Sequence, residues 1–343
     1  MTVTLTRNLY RRPKATNEVE AIGFLATGSV IEIAEKVQGK PVDGIATWYK
    51  ATDGFYYWGG GVQDLSTVSI KVDHRQQISG IPAEWLTTNG RNVKIAILDT
   101  GFFLDHPDLA HLKGKCVISD FGGNNNTDDK AGHGTHVLGL LGAKAAQADG
   151  VTGLINEAHF FLYKVILDDV GFLDFFVEAA IEEAIKMEVD IINMSFNVPS
   201  KEDSSLHKTI KKAFEKNILL ISSAGENANL IQSALVYPSQ FDEVISVGEA
   251  DKEFAQSLSV NLNEKLDFIL PFVAQNSCWI NDASGLYKKL RGSSMASALV
   301  SGVFAACLSN KGSRSGLPVD VKKIAPPFSN SVFNDGKLKI VIP

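Results

Sequence analysis

From Val93 onward the chain alternates short apolar runs with stretches whose apolar residues recur at helical spacing. Residues 93–98, 160–165, 191–196, 218–223 and 244–247 have strand length and little polar alternation. Strands of that kind are buried on both faces, as in parallel sheets covered by helices. Between them, Val177, Ile181, Ala184 and Ile185 share one face of a helix that Asp174 can N-cap, and residues 206–215 read as another helix. The pattern is that of an α/β fold, a mostly parallel sheet with helices on both faces. Such sheets gather their ligands and reacting groups beyond the carboxyl ends of the strands.

The chain before this region lacks a helical period. Short β-rich runs at 2–5, 21–25, 29–34, 46–51 and 55–58 are separated by turn formers such as Gly39, Pro41, Asp53 and Gly54. These features predict a small all-β barrel over residues 1–66, a connector at 67–85 and a larger domain at 86–343. Trp48, Tyr49, Phe55, Tyr56, Tyr57 and Trp58 either fill the barrel core and an intramolecular contact surface, or line a peptide or glycan groove. Arg11, Arg12 and Pro13, the run 28–33, Trp48-Tyr49-Lys50 and Asp53-Gly54 give this part a resemblance to bacterial SH3-like domains.

Composition removes several function classes. The net charge is −6, and Arg7, Arg11 and Arg12 are the only basic cluster near the start, so no nucleic-acid partner is expected. Cys116, Cys278 and Cys307 are an odd count without metal-ligand spacing and read as small apolar residues. No run of 18 apolar residues occurs, so no membrane span is expected. The first residues lack the basic and apolar regions of a signal peptide, which predicts a cytoplasmic protein.

Three residues stand out for chemistry. Asp99 closes the apolar run of residues 96–98, where a carboxylate belongs if it serves a site at the strand end. His133 lies between Gly132 and Gly134, which allow close backbone approach. His136, three residues on, would suit a metal face, but no third ligand accompanies the pair. Ser294, in Gly292-Ser293-Ser294-Met295-Ala296, opens a long helical run, and a helix N-terminus favours negative charge developing beside it. Taken singly, each has an ordinary structural explanation: a cap, a loop residue or a core histidine.

Together they resemble the subtilisin-like serine proteases. The chain order Asp, His, Ser is that of subtilisin. The local sequences also agree: Leu98-Asp99-Thr100-Gly101 with His106-Pro107-Asp108-Leu109, then residues 132–137, then residues 292–296. Asn193-Met194-Ser195 and Ser223-Ala224-Gly225 fall between them in the family's order. The resemblance covers about residues 85–310. It implies a serine endopeptidase with Asp99, His133 and Ser294 as catalytic triad. Peptide or protein substrate would lie extended between the segment 168–172 and Ser195, Phe196 and Asn197, with Gly225 nearby.

Departures from the family qualify this expectation. Asn197 and Val198 stand where glycines usually line the pocket for the residue before the cut, which predicts a narrower or reshaped pocket. Glu226 occupies the place of the usual oxyanion-hole Asn, with Asn227 one position late. A carboxylate there cannot donate to an oxyanion, which leaves open a catalytically impaired protein that binds peptides or partners. Hydrolysis of other acyl compounds is the third alternative. No cofactor is expected. For the calcium common in the family, only Asp108 matches a ligand position, with Gln147 and Asp149 as further oxygen donors.

Overall fold

In a computed structural model the chain divides by its internal contacts into two units, Met1–Ile70 and Lys71–Pro343. The structure describes residues 2–5, 8–26, 29–64, 72–79, 81–123, 125–167, 171–172, 174–225, 237–250, 267–271, 274–283, 285–311, 333–334 and 337–339. Gly28, part of the SH3-like resemblance, lies outside them.

The first unit is built on an antiparallel sheet of β1 (Thr2–Leu5), β2 (Val30–Val42), β3 (Ile45–Ala51), β4 (Tyr56–Trp58) and β5 (Val62–Asp64), in the order β4-β3-β2-β1-β5. Asp43 and Gly44 turn β2 into β3, both with positive φ, the conformation that two-residue hairpins demand. Val3 and Leu5, like Ile31 and Ile33, are two apart and therefore share one face, where they pack with Tyr49, Ala51 and Tyr57. Trp48 is also buried, and its Nε1–H donates to the Lys40 carbonyl at 2.9 Å. Phe55, Tyr56 and Trp58 are half-buried.

The second unit carries a seven-stranded parallel sheet. Its strands are β6 (Lys94–Asp99), β7 (Val117–Asp120), β8 (His159–Lys164), β9 (Ile191–Met194), β10 (Leu219–Ser223), β11 (Val244–Ala250) and β12 (Phe268–Pro271). They run in the order β7-β8-β6-β9-β10-β11-β12, so β6 is internal. Its side chains divide by parity. Ile95 and Ile97 enter the core with α1 (His133–Gly142) and α4 (Ser293–Lys311). Ala96 and Leu98 enter the core with α2 (Asp174–Lys186) and α3 (Ser205–Glu215). Both faces of β6 are thus dry, which explains its unbroken apolar run.

Helix α4 is buried nearly all round, from Ser293 to Leu308 with Ser294 excepted, as a core helix must be. A hairpin of β13 (Gln275–Asp282) and β14 (Gly285–Leu290) precedes it. Part of the stretch read as a connector belongs to this unit: Val72 and Asp73 pair in parallel with Val151 and Thr152, and His74 is fully buried. Elements of two to five residues, such as the helices His74–Gln77 and Ala83–Thr87, leave too few residues for a period to register in sequence.

Two buried histidines make this unit sensitive to acid. His136 Nε2–H is shared between the carbonyls of Gln275 at 3.2 Å and Lys288 at 3.0 Å, fastening α1 to the hairpin. Burial lowers its pKa to about 3, and burial lowers that of His74 to about 4. Both side chains are therefore neutral when folded, whereas in the unfolded chain they protonate near pH 6.5. Their stabilising effect is complete above that pH and is lost as pH falls toward the folded values. At pH 5 the loss is about 2 kcal/mol per histidine. Melting of the Ser294→Ala variant, which avoids self-digestion, should fall by several degrees between pH 7 and pH 5. The fall should be smaller in a variant that also carries His74→Gln, and an equal fall in both proteins would refute the neutral burial of His74.

Candidate active site

Asp99, the last residue of β6, is fully buried at the carboxyl end of the sheet. Its Oδ1 accepts from His133 Nδ1 at 2.7 Å and from the Thr100 backbone N–H at 2.8 Å. Its Oδ2 is buried with no hydrogen-bond partner among the described residues. The carboxylate thus meets His133 in a buried setting, where charges are screened poorly. His133, the first residue of α1, is part-exposed, so one edge of its ring remains reachable from solvent.

Close backbone approach makes this pairing feasible. A Cβ on Gly134 would stand 2.3 Å from the Gly101 carbonyl and 3.0 Å from Asp99 Cβ. Gly101 itself has φ +124°, and a Cβ there would stand 2.6 Å from the Asp128 carbonyl. Any other residue at either position would push His133 or its loop away from β6.

Ser294 lies in the first turn of α4 and donates its hydroxyl to the Ser195 carbonyl at 2.8 Å. Ser195 follows β9 directly. Its own hydroxyl is buried and bonds Asn193 Oδ1 at 2.9 Å, the Ser294 carbonyl at 3.0 Å and Ser297 Oγ at 2.9 Å. Asn193 in turn donates to Ser301 Oγ at 3.0 Å. This polar network joins the start of α4 to the end of β9. The sequence suggested that Ser195 contacts substrate. Its side chain is committed to this network.

Phe196 is buried in the core with α2 and α3, so its ring packs inward and only its backbone is available. Asn197 donates Nδ2 to the Ser223 carbonyl at 2.8 Å and so crosses the gap between the ends of β9 and β10, where a narrowed or reshaped pocket was expected. Gly225 is buried with φ +83° just beyond β10. Asp168 lies outside the described residues, as do Glu226 and Asn227. Gly171 and Phe172 pair with Leu167 and Ile166 in a short antiparallel ribbon.

The calcium expectation meets a carboxylate already surrounded by hydrogens. Asp108 Oδ1 accepts from the Ala146 N–H at 2.7 Å, and Oδ2 accepts from the Val151 N–H at 2.7 Å and the Tyr287 O–H at 3.0 Å. Donor hydrogens directed at the same oxygens would repel a cation. Gln147 and Asp149 are exposed, and the Gln147 carbonyl accepts from the Gly150 N–H. His106 and Cys278 are close enough to Asp108 to suggest a metal cluster. Both His106 nitrogens are used, however, one accepting from the Asp108 N–H and the other donating to the Leu286 carbonyl. Burial also pushes the Cys278 thiol well up, keeping it neutral. These residues do not fit calcium or another metal.

Residues 90–324 match the family model of peptidase S8, the subtilase family. The chain is similar to an intracellular serine protease of Paenibacillus polymyxa, 35% identical over 237 residues, covering 65% of this chain and 69% of that one. It is likewise similar to the major intracellular serine protease of Bacillus subtilis (strain 168), 33% identical over 231 residues, covering 65% and 71%. Among solved structures it resembles the S41 psychrophilic protease, with a TM-score of 0.54 and 27% identity over 66% of this chain and 82% of that one.

Proposed function

Because this chain belongs to the subtilase family and is a serine endopeptidase, we propose that Asp99, His133 and Ser294 are its catalytic triad. The observation that carries this reading is the 2.7 Å bond between His133 Nδ1 and the fully buried Asp99. In this reading Asp99 keeps the proton on Nδ1, so Nε2 is the basic nitrogen. The Ser294 hydroxyl leaves the Ser195 carbonyl, passes its proton to Nε2 and attacks the peptide carbonyl. His133 then returns the proton to the leaving amine. Water repeats the sequence on the acyl-enzyme. The backbone N–H of Ser294, in the first turn of α4, is well placed to donate to the oxyanion, and the helix dipole favours charge there.

Substrates are peptides or proteins. We read the main chain of Ser195, Phe196 and Asn197 as the wall along which an extended peptide pairs, because two of these side chains are turned into the protein. The two relatives named as intracellular proteases favour action inside the cell. The antiparallel order of the first unit favours the SH3-like reading of residues 1–66. A fluorophosphonate should label this protein at one residue, and peptide mapping should place the label on Ser294. Label on a different serine would overturn the assignment.

The Asp108 cradle supports a protein that needs no calcium. A site filled at a hundred times its dissociation constant adds about 2.7 kcal/mol, several degrees of melting temperature. Melting in millimolar chelator and in millimolar calcium should therefore agree within about 2 °C. A larger rise with calcium would reveal a site that these residues do not account for.

A further inference from the structure

A second carboxylate, Asp129, is buried beside the proposed triad and touches none of its side-chain atoms in any hydrogen bond among the described residues. Its Oδ1 accepts from the Thr100 hydroxyl at 2.9 Å, the Gly132 N–H at 2.8 Å and the Ala131 N–H at 3.1 Å. Its Oδ2 accepts from the Thr135 N–H at 2.8 Å and the Thr135 hydroxyl at 2.6 Å. The two threonines extend the cluster: Thr100 Oγ1 accepts from the Gly134 N–H at 2.9 Å, and Thr135 Oγ1 accepts from the Phe103 N–H at 3.0 Å.

These partners flank the reacting pair. Thr100 adjoins Asp99, and Gly132 and Gly134 lie on either side of His133. One ion thus holds the strand end that carries Asp99 and the helix start that carries His133. The loop bearing Asp129 is itself held by the buried Lys164, whose Nζ donates to the Asp128 carbonyl at 2.6 Å, and by the Phe102 N–H on the Thr127 carbonyl at 2.9 Å.

We infer that Asp129 is a positioning residue for peptide-bond hydrolysis, fixing the alignment of His133 on Asp99 through Thr100 and the amides around His133. The inference rests on the triad reading above. Burial raises the Asp129 pKa, partly offset by the bonds from Thr135 and Gly132, and the nearby Asp99 adds to the rise. A second carboxylate near Asp99 is thus unfavourable in itself. Its return is stiffness, since hydrogen bonds to an ionised oxygen are about twice as strong as neutral ones. Stiffness matters here because a misplacement of about 1 Å at a reacting centre can cost about 10²-fold in rate.

The test is turnover per active site, counted by fluorophosphonate titration so that unfolded molecules do not contribute. Asp129→Asn should lower kcat by about 10- to 100-fold with KM within about twofold, because Asp129 does not touch substrate. Thr100→Val removes one bridge without changing charge and should lower kcat by about tenfold, whereas Thr100→Ser, which restores the hydroxyl, should stay within about twofold of the unmodified protein. If Asp129→Asn does not fold, the Thr100 pair decides: equal turnover of the Val and Ser variants overturns the inference. Wild-type turnover per titrated site in Asp129→Asn also overturns it. Failure of the unmodified protein to take up label at Ser294 would instead overturn the triad reading, so the two failures are distinguishable.

Discussion

Replacing Ser294 with Ala is expected to lower kcat by about 10⁶-fold and to abolish fluorophosphonate uptake. In the proposed mechanism this hydroxyl forms the acyl-enzyme, whereas the neighbouring Ser293, first residue of α4, is buried. The Ser294 N–H and the bound main chain survive the substitution, so some acceleration over water should remain, at most the about 10³- to 10⁴-fold of a site with a complete oxyanion hole. Folding should be little changed. The lost side-chain bond is the one to the Ser195 carbonyl, and the Ser195 hydroxyl keeps its bonds to Asn193, Ser297 and the Ser294 carbonyl. Substantial cleavage by a correctly folded Ser294→Ala protein would remove Ser294 from the role of nucleophile.

The second large effect is expected at Asp99. Asp99→Asn should reduce kcat by about 10⁴-fold near neutral pH. The change keeps the size of the side chain and removes its charge. Two donors converge on Oδ1, His133 Nδ1 at 2.7 Å and the Thr100 N–H at 2.8 Å. An amide can meet them in two ways. If its oxygen stays in place, the imidazolium formed during attack loses its counter-charge in a site where that charge is poorly screened. If its NH₂ turns toward them, His133 must accept at Nδ1 and carry its proton on Nε2, and it cannot then take the proton of Ser294. Both arrangements suppress turnover. A loss below tenfold, measured per folded molecule, would show that Asp99 does not have this role.

The apolar runs by themselves indicated the α/β core and five of the seven strands of its sheet, most to within a residue or two, but not β7 or β12 at the sheet's edges. Residues 93–98 read as a strand, and β6 is Lys94–Asp99; residues 206–215 read as a helix, and α3 is Ser205–Glu215. These signals are local, because burial on both faces of a strand or on one face of a helix leaves its mark in consecutive residues. Asp99, His133 and Ser294 stand out as candidates for a related reason: each lies in a short segment whose neighbours are constrained with it, as Gly134 is by the Gly101 carbonyl.

Tertiary structure decided what depends on partners distant in sequence. Asp108 reads as a calcium ligand from its own segment, and only the fold brings Ala146, Val151 and Tyr287 to satisfy its carboxylate. Phe196 reads as part of a substrate wall, and only the fold shows that its ring is in the core, which leaves its main chain alone for that role. His136 reads as a companion of His133, yet it serves the hairpin through Gln275 and Lys288. Asp129 has no signal of its own in the sequence, because a carboxylate in a polar loop is ordinary until five donors from both sides of the site are folded around it. A hydrogen bond is directional and short-ranged, so which polar groups meet is fixed by where the packed core places them, whereas hydrophobic patterning acts on each segment before the chain has folded.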